Sequence, residues 1–155
     1  MPADFTITLD YLRRLCSARE YCARDIYDKA LKRLEIPSEA QKAVEALQEE
    51  GYQSDTRYAS AFARDKAAIS GWGRIKIAYH LKAKGIDSDT INAALQEIDE
   101  DKADEKLRKS IEAKYKLLKD DPQVKIKLLK FALSRGYTYD QVAKIVDRIA
   151  YIRKL

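Results

Sequence analysis

Glycine, proline, cysteine and histidine are all scarce in this chain of 155 residues, which contains five, three, two and one of them respectively. So few glycines and prolines leave few places to reverse direction, which counts against a fold built from many short strands. Two cysteines, Cys16 and Cys22, do not make a disulfide framework. They stand six apart with no other soft ligand nearby, so packing is expected for Cys16 and a helix-start position for Cys22. His80 is the only histidine, which excludes a metal site built on paired histidines. No apolar run approaches the ~20 residues of a membrane span. The opening MPADFTITLDYL lacks the basic region and long apolar core of a secretory signal, so the cytoplasm is the expected compartment. There is no G-x-x-x-x-G-K-(S/T) phosphate loop, and Gly71-Trp72-Gly73 is too short to act as one. The acidic run Asp99-Glu100-Asp101 lacks the alternating ligand spacing of a calcium loop and reads as a solvated linker or a hinge. No catalytic residue, cofactor or metal is expected.

What is present is a chain 46% hydrophobic and 35% charged, with apolar positions recurring at helical spacing. Nine helical segments are expected, at about 8–16, 23–34, 38–51, 55–69, 74–84, 89–98, 102–118, 122–136 and 138–152. Ser38 with Gln41, and Thr138 with Gln141, have the spacing of a capping box. Asp121-Pro122 reads as a cap followed by a first-turn proline. Buried faces are expected to include Leu9, Leu12, Leu15 and Cys16 in the first segment. The fourth should bury Tyr58, Ala59, Phe62 and Ile69, the fifth Ile75, Ala78 and Leu81, and the sixth Ile91, Leu95 and Ile98. Val142, Ile145, Val146, Ile149 and Ile152 should line the last.

The segments fall into three sets of three, about 8–53, 54–100 and 101–155. KAKGIDSDTI in the second set aligns with LSRGYTYDQV in the third, placing Gly85 and Gly136 at equivalent helix stops, where a left-handed residue is often needed. The first set has RLEIPSEA at that junction, with no glycine. A single all-α domain is expected, an elongated, curved array of three tandem three-helix repeats.

Charge is uneven. The formal net charge is +5, but residues 57–86 set Arg57, Arg64, Lys66, Arg74, Lys76, Lys82 and Lys84 against one acid, Asp65. Residues 87–101 carry only acids, and a second basic stretch holds Lys125, Lys127, Lys130 and Arg135. Side chains three or four apart share a helix face, so Lys76, His80 and Lys84 form one stripe and Arg57 with Arg64 another. Local blocks of one sign steer partners of the opposite sign. These eleven basic residues are the candidate contact surface for a polyanion or an acidic partner. Tyr79 and Tyr139 are expected to be exposed, whereas Tyr58 and Tyr115 should be buried. Trp72 is expected to plug the packing between units, with an interface anchor as the alternative.

Particular residues make the layout resemble the RecX family of recombination regulators. In SDTRYASAF, Asp55, Arg57, Tyr58, Ala59 and Phe62 fit the family's D-x-R-(F/Y)-A-x-x-F signature. In GWGRIKIAYHLKAKGI, Gly73, Lys76, Ile77, Leu81, Lys84, Gly85 and Ile86 fit a second signature. The early YLRRLCSAREYCARDIYDKAL stretch and the late KLLKFALSRGYTYDQVAKIV extend the likeness from about Thr8 to Ile152. The chain departs from the pattern at Cys22, where a serine cap is common, at Glu35-Ile36-Pro37, where many members have a glycine turn, and at Ala132, where a leucine is usual.

The resemblance implies a non-enzymatic regulator whose partner is the RecA recombinase filament on single-stranded DNA; the chain itself is expected to be a monomer. It implies inhibition of ATP hydrolysis, filament extension and strand exchange. Tyr58, Phe62, Trp72, Gly73, Leu81, Gly85 and Gly136 then have structural roles, and the basic residues remain the contact surface. Two other readings fit the charge pattern: a stand-alone, sequence-independent DNA-binding helical protein, and a helical-repeat adaptor for an acidic protein.

Overall fold

The computed structural model describes residues 2–154, with side chains through Ile149. The side chain of Ile152, expected in the core of the last helix, lies outside the described residues. Among the described residues there are nine helices and no strand: α1 (Phe5–Ala18), α2 (Ala23–Leu34), α3 (Pro37–Glu49), α4 (Asp55–Ala68), α5 (Arg74–Ala83), α6 (Ser88–Gln96), α7 (Glu100–Leu118), α8 (Val124–Ser134) and α9 (Tyr139–Lys154). The all-α class follows the sequence. By packing, the chain divides into two compact units, Met1–Phe62 with Leu81–Ala94 and Ala63–His80 with Leu95–Leu155.

In the first unit, α1 begins three residues before the expected Thr8. Asp4 is its cap, and its carboxylate accepts from the Ile7 amide at 3.1 Å, satisfying a donor that a helix start leaves unpaired. Leu12, Ile26, Ala30, Ala40, Ala43 and Leu47 are completely buried and form the centre of a core shared by α1, α2 and α3. Leu15 packs at its edge. Cys16 and Cys22 are both buried free thiols, and burial pushes both above the ordinary thiol range, so neither is poised as a nucleophile.

The Ser38–Gln41 capping box does not form. Pro37 occupies the first turn of α3 and Ile36 precedes it without a side-chain cap. The Gln41 amide instead donates to Glu45 at 3.3 Å. A proline's fixed φ suits a first helical position and removes a donor that would otherwise need a cap.

Glu35, at the junction where the other two sets have glycine, is left-handed at φ 64°. Gly85 and Gly136 are left-handed at 81° and 95°. The three junctions therefore share a backbone conformation while only two have the residue that adopts it without steric cost. Glu35→Gly is expected to stabilise the chain by about 0.5–1 kcal/mol, because relief of the left-handed strain exceeds the added chain entropy. A thermal melt would read this as a rise of about 1–4 °C; a fall would show that Glu35 is held there by contacts worth more than the strain.

Tyr58 and Ala59 of α4 are buried as expected, and Phe62 is partly so. In the same unit Leu81, Ile86 and Ile91 are buried, and so is Ala94, which the pattern did not single out.

In the second unit, Ile69 does not join the buried face of α4: it follows the last helical residue and is 78% exposed. In α5 the buried isoleucine is Ile77 rather than Ile75, which is 56% exposed. Residues two apart on a helix point to nearly opposite sides, so the short run RIKIA offers two phases and packing selects one. Leu95 and Ile98 are only partly buried, and Ile98 lies beyond the end of α6.

The Asp99-Glu100-Asp101 run is neither linker nor hinge. Asp99 caps α7, accepting from the Lys102 amide at 3.1 Å, and the two following acids fill its first turn. Carboxylates are favourable there because they face the positive end of the helix dipole. Pro122 lies in the turn before α8, which starts at Val124, and Asp121 accepts from the Gln123 amide at 2.8 Å. The Thr138–Gln141 capping box does form, with the Thr138 amide donating to Gln141 at 3.0 Å and the Gln141 amide donating to the Thr138 hydroxyl at 3.2 Å. Leu107, Ile111, Leu128, Ala132, Tyr137, Val142 and Val146 make the core of α7, α8 and α9, with Tyr115, Ile145 and Ile149 at its margin.

Candidate partner and nucleic-acid interface

The signature residues explain themselves first as structure. Helix α2 begins at Ala23, behind a cysteine that makes no side-chain cap. Its cap comes from Asp55, whose carboxylate accepts from the Ala23 amide at 2.8 Å and from the Gln53 side-chain amide at 3.0 Å. Buried Gln53 also donates to the Tyr21 carbonyl at 3.1 Å. An acid 32 residues away in sequence thus supplies what Cys22 lacks.

Gly73 and Gly136 meet backbone to backbone within the second unit. The Gly73 amide donates to the Arg135 carbonyl at 2.7 Å, and the Ile75 amide to the Gly136 carbonyl at 3.1 Å. A Cβ on Gly73 would stand 2.6 Å from the Gly136 carbonyl carbon and closer still to its oxygen. The turn after α4 is fastened by three donors. Lys106 donates to the Ala68 carbonyl, Arg135 to the Ser70 carbonyl at 3.1 Å, and the Tyr137 hydroxyl to the Gly71 carbonyl at 2.9 Å. Two of these donors are cations at a helix C-terminus, where the unpaired carbonyls attract them. Lys106 and Tyr137 have no signal in the sequence that would mark this role, since their targets are main-chain atoms remote in the chain.

The candidate basic residues divide by what they touch. In the first unit the Arg57 guanidinium donates to both oxygens of Glu20, at 3.1 and 3.2 Å, and to the Gly51 carbonyl at 2.8 Å. Lys84 donates to Asp25 at 3.1 Å, and that hydrogen bond raises its pKa. Lys82 is exposed.

In the second unit Arg74 pairs with Glu100 at 3.1 Å and donates to the Leu95 carbonyl at 3.3 Å. Lys125 pairs with Asp147 at 3.1 Å. Lys127 pairs with Asp121 and holds its carboxyl below the usual range. Arg64 and Lys130 are exposed and make no ion pair among the described residues. Arg64 borders a cleft of about 370 Å³ whose lining also includes Lys102, Lys106, Glu97 and Asp99.

Trp72 is the centre of a cationic cluster in this unit. The ammonium groups of Lys66 and Lys76 lie 4.8 and 4.4 Å from its ring centroids, and the His80 ring lies 4.7 Å away. Tyr79 stands edge-on to His80 at 5.6 Å and is 72% exposed. Tyr139 is exposed as well, as expected. An indole face attracts an ammonium group without cancelling its charge. Carboxylate pairing does the opposite, so Arg57, Arg74, Lys84, Lys125 and Lys127 contribute less free field than their count suggests. Among the described residues no group of three or more His, Cys, Asp or Glu is placed to hold a metal ion. None of the described helices is long and apolar enough to cross a membrane.

Comparison with known proteins places these features in a wider set. Residues 54–95 match the family model described as RecX, second three-helix domain. A Regulatory protein RecX from Legionella pneumophila is 32% identical over 145 residues, covering 93% of this chain and 95% of that protein. One from Clostridium tetani is 30% identical over 132 residues, covering 83% of this chain and 60% of the relative. Among solved structures, RecX from Lactobacillus salivarius superimposes with a TM-score of 0.83 at 19% identity, covering 95% of this chain and 97% of that one. A second structure, of a regulatory protein RecX, gives a TM-score of 0.81 at 19% identity, over 92% of this chain and 71% of the other.

Proposed function

The chain belongs to the RecX family of regulatory proteins, and on that premise we propose that it binds the RecA–single-stranded DNA filament and suppresses its ATPase, extension and strand exchange. The observation that carries this reading is the match to a regulatory RecX protein over nearly the full length of both chains. The same reading takes the nine helices as three repeats, has the protein act as a monomer in the cytoplasm, and assigns it no catalysis of its own. Its contact surface is the set of basic residues that no carboxylate neutralises, above all Arg64, Lys82 and Lys130, with Lys76 beside Trp72. Arg57, Arg74, Lys84, Lys125 and Lys127 join by exchanging a carboxylate for a phosphate or a partner acid. Such an exchange is inexpensive, because an exposed ion pair stabilises by only about 0–1 kcal/mol.

A DNA-dependent ATPase titration of the cognate recombinase tests this. The rate should fall several-fold at saturating protein; no change in either direction would sink the reading. The combined variant Arg64→Glu, Lys76→Glu, Lys82→Glu, Lys130→Glu should raise the Kd for the filament at least tenfold, about 1.4 kcal/mol, with an unchanged thermal melt. Wild-type affinity in that folded variant would remove these residues from the contact.

A further inference from the structure

Residues 1–53 carry ten acidic and eight basic side chains, and the candidate surface above takes nothing from them. Yet the first unit contains a cleft of about 470 Å³ between α1 and α2 with a different character. Arg33 lies over the Tyr11 ring, 3.7 Å from its centroid, and Arg19 lies over the Tyr21 ring at 3.9 Å. Lys29 also approaches the Tyr21 ring, at 5.7 Å, and Lys32 lines the same cleft. Two acids share the lining, Asp25 and Asp28, but Asp25 is occupied by Lys84 at 3.1 Å.

Among the described residues none of Arg19, Lys29, Lys32 and Arg33 pairs with a carboxylate. They differ in this from Arg57, Arg74, Lys84, Lys125 and Lys127. The charges of Arg19, Lys29 and Arg33 are held against aromatic faces and left available. A guanidinium resting on a ring has already lost much of the rotational freedom that a flexible arginine gives up on binding. Its N–H groups suit a bidentate contact with a phosphate.

The geometry points to this cleft as a binding site for a single strand of nucleic acid, separate from the basic residues of α4, α5 and α8. Phosphates would be met by Arg19 and Arg33, with Lys29 and Lys32 adding charge. Bases would stack on the planes that Tyr11 and Tyr21 form with their arginines, a sequence-tolerant interaction. An acidic peptide would use the cations but not the stacked planes, so the aromatic content favours a nucleic-acid strand. The inference does not rest on a recombinase partner.

The test uses the full chain and a fluorescein-labelled oligothymidylate of about 20 nucleotides, with no recombinase present, followed by fluorescence anisotropy at low salt. The double variant Arg19→Gln, Arg33→Gln should bind at least tenfold more weakly. Its affinity should also depend less on salt, by about 1.4 in the slope of log K against log salt for two phosphates lost. Should that variant fold poorly, acetylation of the wild-type protein provides the second readout. Lys29 and Lys32 should be protected by the oligonucleotide, as read by mass spectrometry. Unchanged affinity in the folded variant, or unprotected Lys29 and Lys32, would overturn the site. Absent oligonucleotide binding combined with Arg19- and Arg33-dependent binding of polyglutamate would overturn it in favour of an acidic protein segment.

Discussion

Replacing Gly136 with alanine should destabilise the chain by about 3 kcal/mol, the sum of backbone strain and a backbone clash. Gly136 sits at φ 95°, where a non-glycine residue costs about 1–3 kcal/mol. A Cβ there would stand 2.6 Å from the Lys76 amide nitrogen and closer still to the Lys76 Cβ. Neither atom is the far end of a flexible side chain, so the backbone itself must separate. That separation threatens the two hydrogen bonds that join the glycine segments, from Gly73 to Arg135 and from Ile75 to Gly136, each worth about 1 kcal/mol net.

Gly73→Ala should behave similarly for the steric reason alone. The double variant should cost clearly less than the two single costs combined, because both disrupt one crossing. A urea titration reads the stability, and hydrogen exchange locates the damage: the Gly73 and Ile75 amides should exchange much faster in either variant. Full additivity, or unaltered exchange at those amides, would mean that the crossing is not a shared element.

Asp55→Ala should cost about 2–3 kcal/mol, the range for removing one partner from a part-buried network. The substitution strands the Ala23 amide at the start of α2 and one donor of the Gln53 side chain. Gln53 is 3% exposed, so water does not readily replace the lost acceptor. Asp55→Asn keeps an acceptor oxygen and should cost about half as much, since a charged acceptor is roughly twice as strong as a neutral one. Cys22→Ser in the Asp55→Ala background offers the helix a local cap and should recover about 1 kcal/mol. Thermal melts of the wild type, these three variants and Cys22→Ser alone check the set. If Cys22→Ser gives the same gain with Asp55 intact, Asp55 is not the cap of α2.

Both positions belong to signatures that were visible in the sequence, but their physical roles were not. Asp55 and Gly73 read as members of a pattern, and what each touches lies 32 and 63 residues away along the chain. The Thr138–Gln141 box was legible because both partners and the helix they start are local. The identical spacing at Ser38 misled because Pro37, one residue earlier, already starts the helix. Helix α5 shows the limit most clearly. Its apolar residues satisfy two helical phases, and only packing buries Ile77 in place of Ile75. The basic blocks were equally plain in the sequence. Which of their members are neutralised was not, because Glu20, Asp25, Glu100 and Asp147 reach them from other elements.

The sequence by itself determined the helical class, the nine segments to within a few residues, the family, and the location of the charge. Those depend on periodicity, composition and short motifs, all of which act over one or two helical turns. Tertiary structure decided which isoleucine is inside, which acid caps which helix, why two distant glycines must both lack a side chain, and which cations remain unneutralised. Each of these is a contact between groups far apart in the chain, and neither partner's own neighbourhood encodes it.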